Sequence, residues 1–118
     1  MTAQIPPRLL KSHEWRAALL ILANTSIKKF FTTEYCDFDH DVIDFRKMRR
    51  ATTSSSDKCL VDLAAHLFNV WQFPKFPGEA FYNLDADNKA WGLLAIMERH
   101  GVHPDDVASR YKKTVGEK

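Results

Sequence analysis

Two apolar stripes with helical period, punctuated at nearly every end, fill the second half of this chain and constrain its fold more than any other feature. Leu60, Leu63, Ala64, Leu67, Phe68 and Trp71 recur at i, i+3, i+4, i+7, i+8 and i+11. That spacing lines one face of an α-helix. Asp62, His66 and Asn69 fall on the opposite side. Ser54, Ser55 or Ser56 supplies an N-cap, and Ser54 with Asp57 has capping-box spacing. The pattern predicts a helix from about Ser55 to Trp71. A second is predicted from about Asp85 to His100, with Asp85 as its cap. Its centre, Ala90-Trp91-Gly92-Leu93-Leu94-Ala95-Ile96-Met97, is apolar nearly all round, as in a central buried helix. Gly92 costs about 1 kcal/mol relative to alanine there, which is tolerable where another helix crosses closely.

Gly101 is placed to end that helix in a left-handed conformation, with Val102 reaching back to Met97. Pro104 then suits the first position of a new helix, and Asp105 and Asp106 suit its first turn. Val102 and Val107 have the spacing of a hydrophobic staple. A short last helix is expected, with Val107, Ala108 and Tyr111 inward and fraying from Thr114.

The first half is less sharply marked. Residues 1–11, with Pro6-Pro7, are expected to fray. Ser12 is a good N-cap, and Trp15, Ala18, Leu19 and Leu22 form a helical stripe widened by Leu20, Ile21 and Ala23. Asn24-Thr25-Ser26 are poor interior residues. Ile27, Phe30 and Phe31 nevertheless extend the stripe, so one helix from 12 to 31 is expected, a break at Asn24–Ser26 being the alternative. Thr32 to Phe38 suits a strand by composition, but no partner strand is evident, so a loop is expected. Asp39 to Arg50 starts with acids and ends with bases, matching a helix macrodipole, with Val42, Phe45 and Met48 as its inner edge. Together these elements predict an all-α fold: one domain over residues 1–118, a compact bundle of four to six helices with one aromatic-rich connecting loop.

Composition bounds the function classes. The 118 residues carry 17 Lys and Arg against 15 Asp and Glu, a formal charge of +2. That balance argues against a dedicated nucleic-acid or membrane-surface protein. The longest apolar run, Ala17 to Ala23, spans seven residues, far short of a membrane span. Met1 to Lys11 has no apolar core of a signal peptide. Cys36 and Cys59 belong to no CxxC pair. A cytoplasmic chain with reduced thiols is therefore expected.

No catalytic, cofactor or metal site is assigned from the residues. Asp37, Asp39, His40, Asp41 and Asp44 crowd into eight positions, but lack the glycine and terminal Glu of an EF-hand and the spacing of a zinc site. Acids at a solvated helix start explain them. Cys59 and His66 are two turns apart on one helix, about 10 Å, too far to act as nucleophile and base. The acids beside Cys36 are expected to raise its pKa.

Three stretches suggest partners. Arg46, Lys47, Arg49 and Arg50 form the strongest basic run. It could hold phosphates, but it lacks interleaved aromatics and equally suits a helix C-terminus. Arg99-His100-Gly101-Val102-His103-Pro104-Asp105-Asp106-Val107 through Arg110-Tyr111 resembles the turn and second helix of a helix-turn-helix DNA reader. A recognition helix meets DNA with its first turn, and here that turn presents Asp105 and Asp106. Finally, Trp71, Phe73, Phe76, Phe81 and Tyr82 cluster around a proline-containing connector, where aromatics serve as anchors for a protein partner. The leading expectation is a non-enzymatic protein-interaction or regulatory module, a homodimer included. The alternatives are a small DNA-binding protein using Arg46, Lys47, Arg49 and Arg50 with Arg110, Lys112 and Lys113 of a helix-turn-helix-like segment 90–113, and a metal-assisted enzyme at 37–44.

Overall fold

A computed structural model describes residues 5–72, 81–82 and 84–116. The fold is mainly α. Its helices are α1 (His13–Leu22), α2 (Phe45–Ala51), α3 (Ser55–Leu67), α4 (Ala86–Arg99) and α5 (Pro104–Val115). The described residues also include two 3-10 turns, Pro7–Lys11 and Ser26–Phe30, and one small hairpin. The aromatic-rich connector expected between α3 and α4 lies largely outside them.

Helix α1 is the central element. It packs most extensively on α4 and next on α3, while α3 also packs on α2. Ala17, Ala18, Leu19, Ile21 and Leu22 are all buried, because the stripe read in the sequence is wide enough to meet partners on several sides. Helix α3 follows the sequence closely. The Ser54 hydroxyl accepts from the Asp57 backbone N–H at 3.1 Å, and Leu60, Leu63, Ala64 and Leu67 are buried. The core is rich in aromatic contacts, with Trp15 edge-on to Phe68 at 4.7 Å between centroids.

Several boundaries differ from expectation. The helix expected over 12–31 ends at Leu22. The Thr25 hydroxyl donates to the Ile21 carbonyl at 2.7 Å and accepts from the Ile27 N–H. Its side chain thus competes with the helical ladder and caps the 3-10 turn instead. Helix α3 stops at Leu67 rather than Trp71, because Asn69 takes a left-handed φ of 66°. The Val70 N–H then bonds the Ala65 carbonyl at 2.9 Å, the closure that Gly101 provides for α4, where Val102 N–H meets Met97 O at 2.8 Å.

The loop expected at Thr32–Phe38 contains strand β1 (Cys36–Asp37), paired antiparallel with β2 (Val42–Ile43). Its partner was hidden because β2 lies within the residues expected to start a helix. That helix, α2, begins only at Phe45, with the Asp44 carboxylate accepting from Lys47 N–H at 3.0 Å. Val42, expected on an inner edge, is exposed, whereas Phe45 and Met48 are buried. At the N-terminus, Pro7–Lys11 forms a turn with Leu9 in the core. Arg8 donates from there to the Phe38 carbonyl at 2.7 Å and to Asp41 at 2.6 Å, fastening the hairpin.

Two polar residues also depart from the pattern. Asp62, assigned to the outer side of α3, is buried against Arg49 Nε at 3.0 Å. Asp57 is buried where Ser26 Oγ donates to it at 2.6 Å and Lys29 Nζ at 2.8 Å. Burial pushes the Asp57 carboxyl upward, but the hydrogen bonds from Lys29 and Ser26 outweigh it and hold its pKa below the ordinary value. Ser26 also meets buried Asn88 of α4, whose Oδ1 accepts from the Ser26 N–H at 3.3 Å. One polar knot therefore ties the 3-10 turn, α3 and α4 together.

Helix α4 is less enclosed than its composition suggests. Only Asn88, Gly92 and Ala95 are buried, and Leu93 is 52% exposed. Gly92 allows the close approach expected of it. A Cβ there would sit 3.1 Å from the Phe81 ring and 3.4 Å from Leu63 of α3.

Candidate functional site

The largest departure from the sequence reading is α5. It is 12 residues long, and none of them is buried. Local chemistry favours its formation. Pro104 opens it, and His103 caps it by accepting from the Asp105 N–H through Nδ1 at 3.1 Å. Asp105 and Asp106 lie in its first turn, Lys112 and Lys113 in its last, all favourable to the macrodipole. Val107, Ala108 and Tyr111 were expected inward. They instead form an open stripe with Val115, in which Tyr111 is 55% and Val115 58% exposed. Gly101, at φ 72°, turns the chain so that α5 leaves the bundle instead of folding onto it.

This stripe borders a groove of about 640 Å³ lined by Met97 of α4 with Pro104, Val107, Ala108, Tyr111 and Lys112. Its flank is a second cleft shared by Asp105, Ala108, Ser109, Lys112 and Lys113. Opposite charges thus lie along one side of the apolar stripe, the acid near the start of α5 and the bases near its end. Leu93 stands one turn before Met97 on α4 and extends the exposed apolar surface.

The aromatic cluster divides. Trp71 is half-buried, its ring centroid 6.2 Å from that of Phe45 at a steep angle. Phe81 packs over Gly92. Tyr82 is 83% exposed. Phe73 and Phe76 lie outside the described residues. Of the three described members, Tyr82 alone presents most of its ring to solvent.

The basic residues also separate. Lys47 pairs with Glu34 at 3.3 Å and stands over the Tyr35 ring. Arg49 is committed to Asp62. Arg46, Arg49 and Arg50 line one cleft together with Thr52, Lys58 and Trp71. Lys112 and Lys113 line a different one on α5, and Arg110 bonds the Asp106 carbonyl within α5. A helix, a turn at Gly101 and a second helix do follow one another over α4 and α5, but the first turn of α5 presents exposed Asp105 and Asp106.

The acidic cluster serves the backbone. Asp37 accepts from the Asp39 and His40 N–H groups and from the His40 ring, at 2.8 Å for the ring. The hydrogen bond from His40 holds the Asp37 carboxyl below its ordinary pKa, and the same bond raises that of His40. Asp41, at a left-handed φ of 56°, pairs with Arg8, and Asp44 caps α2. Among the described residues no group of three or more His, Cys, Asp or Glu is placed to hold a metal ion. Cys36 and Cys59 are unbridged. Burial, rather than the neighbouring acids, pushes the Cys36 thiol up to about 11, which leaves it a poor nucleophile.

Comparison with known proteins places the chain in no family: no family model, no curated protein and no solved structure matches it. No helix among the described residues is long and apolar enough to cross a membrane.

Two surface features had no counterpart in the sequence reading. The outward direction of α5 depends on the turn at Gly101 and on what α4 offers beside it. The union of Trp71 with Arg46 and Arg50 depends on α2 and α3 packing together. A signal for the first was present in part: the stripe of α5 is narrow and its composition polar, which suits an exposed helix.

Proposed function

We propose that this chain is a non-enzymatic protein-interaction module that pairs with a second copy of itself through the outer face of α5. The observation that carries the reading is a capped, amphipathic helix whose apolar stripe contains no buried residue. An isolated helix of this length is marginal in water, so a partner on the stripe would supply the packing it lacks. Charge favours a second copy in antiparallel orientation. In such a pair the same flank of each helix faces its counterpart, which sets Asp105 of one copy near Lys112 of the other, twice over. It also opposes the two macrodipoles. A parallel pair would align like ends. Ala108, midway between Asp105 and Lys112, is small enough for close approach at the centre. The two unbridged thiols suit a reducing compartment such as the cytoplasm.

One helix face is small beside the roughly 1,200–2,000 Å² of a stable interface, so pairing is expected to depend on concentration. Sedimentation velocity of the full chain over a wide concentration range tests it. The expected result is a monomer–dimer equilibrium that Tyr111→Asp abolishes while the α1–α4 bundle stays folded, as read by an unchanged cooperative thermal melt. Asp105→Lys weakens association, and the Asp105→Lys, Lys112→Asp double variant restores it. A chain that stays monomeric at every concentration, or a dimer indifferent to Tyr111→Asp, refutes the reading.

A further inference from the structure

We infer that the cleft between α2 and α3 is a binding site for a nucleotide unit, with its phosphate on Arg46, Arg50 and Lys58 and its base against Trp71. The sequence separates these groups: the basic run has no aromatic within it, and Trp71 lies more than twenty positions further on. Packing of α2 on α3 brings them together, with Arg46, Arg49, Arg50, Thr52, Lys58 and Trp71 lining one cleft of about 490 Å³. That volume falls within the range of about 300–1,000 Å³ common to small-molecule sites.

Among the described residues, the charges in this cleft are unbalanced. Arg49 is neutralised by Asp62. The side chains of Arg46, Arg50 and Lys58 have no ion-pair or hydrogen-bond partner among the described residues. Three like charges converging on one opening repel one another, and an anion seated between them relieves that repulsion. Guanidinium groups match phosphate oxygens in geometry as well as charge. The Arg49–Asp62 pair, with Asp62 buried, fixes the wall that the two arginines stand beside.

Trp71 makes the site more than a phosphate site. Its ring is held against buried Phe45, and its remaining, minor exposed part lines the cleft. Aromatic rings offered beside a cationic surface stack bases of any sequence. The shared chemistry is therefore a base-bearing phosphate, presented by a free nucleotide or by a single strand. A duplex, whose bases are already stacked, does not fit. This inference uses residues remote in sequence from the α5 stripe and stands or falls separately from the pairing proposed above.

Calorimetric titration of the full chain at low ionic strength tests it with four probes: inorganic phosphate, adenosine monophosphate, a short oligothymidylate and a duplex of the same length. Adenosine monophosphate is expected to bind roughly tenfold more tightly than inorganic phosphate, the stacking contribution of one base. Trp71→Leu should erase that difference while leaving phosphate binding in place. Because Trp71 also packs on Phe45, the exposed pair Arg46→Glu, Arg50→Glu provides a second variant, expected to abolish binding of both probes with the circular dichroism unchanged. Tighter binding of oligothymidylate than of the mononucleotide identifies a strand as the source, and equal binding identifies a free nucleotide. No binding of any probe, equal affinity for phosphate and adenosine monophosphate, or a duplex bound as tightly as the single strand overturns the inference.

Discussion

Helices α3 and α5 are built by the same local rules and end in opposite environments. Both begin at a side-chain cap, Ser54 and His103, and both carry acids in the first turn. They are 13 and 12 residues long. Yet α3 buries eight residues and α5 none. The difference lies in stripe width and neighbours. Around the apolar residues of α3, even Ala65 and Asp62 find partners, because α1, α2 and α4 surround it. The stripe of α5 is confined to Val107, Ala108, Tyr111 and Val115, and the turn at Gly101 carries it past the bundle. Capping and periodicity thus make a helix. Burial requires a surface for it to meet.

The contrast can be broken most forcefully by equal insults to the two stripes. Leu60→Ala in α3 should cost about 3 kcal/mol of unfolding free energy, from lost transfer energy and the cavity left behind. Val107→Asp in α5 should change stability by less than about 0.5 kcal/mol while abolishing self-association. Urea denaturation of both variants, at a concentration where the chain is monomeric, measures the gap. A large loss for Val107→Asp would mean that α5 folds back onto the bundle.

A smaller effect probes how closely the buried region is packed. Gly92→Val should cost about 2 kcal/mol, because the Phe81 ring and Leu63 already stand at contact distance from where its Cβ would lie. Gly101 has the opposite constraint. Nothing lies within 4 Å of a Cβ there, but its φ of 72° penalises any side chain. Thermal melts of the two alanine or valine variants separate crowding from backbone strain.

The polar knot comes next. Asp57→Asn removes charged hydrogen bonds from Lys29 and Ser26 and should cost about 1.5 kcal/mol near neutral pH. The sign with pH follows from the lowered native pKa. The Asp57 contribution is complete above its ordinary value of 3.8 and is lost as the pH falls through the lower native value. The stability gap between wild type and variant should therefore hold at neutral pH and close in acid. A gap that widened in acid would contradict the assignment.

The smallest effect concerns the exposed hairpin turn, far from either stripe. The Asp37 carboxylate raises the His40 pKa, so Asp37→Asn should lower it, as read by a proton NMR titration of the ring. His40 contributes to stability at low pH, where it is charged in both states, and that contribution is lost as the pH rises through its native pKa. An unchanged His40 titration in the variant would mean that the pair does not form.

Much of the helical content was legible, and the reasons are particular. Ser54, Asp85 and Pro104 start helices where spacing placed them, and Gly101 ends one as its position required. These signals are local, acting through groups three or four residues apart. Thr25 and Asn69 were misread because each can serve either inside or at the edge of a helix, and the competing hydrogen bonds become visible only in three dimensions. The hairpin at Cys36–Ile43 was missed because two-residue strands have too little length for an alternating pattern.

The candidate sites were less legible than the helices. Arg46 and Arg50 carry a phosphate signal in the sequence and Trp71 a partner-anchor signal, with nothing local to join them, and the inward side expected for Val107 and Tyr111 is the exposed one. The chain's order of residues by itself determined where α1, α3, α4 and α5 begin, where α2, α4 and α5 stop and where the main apolar stripes run, since those depend on hydrogen bonds and side-chain spacing within a few turns. Only the tertiary structure decided which apolar faces are covered and which charges share a cleft, because those depend on the packing of segments far apart along the chain.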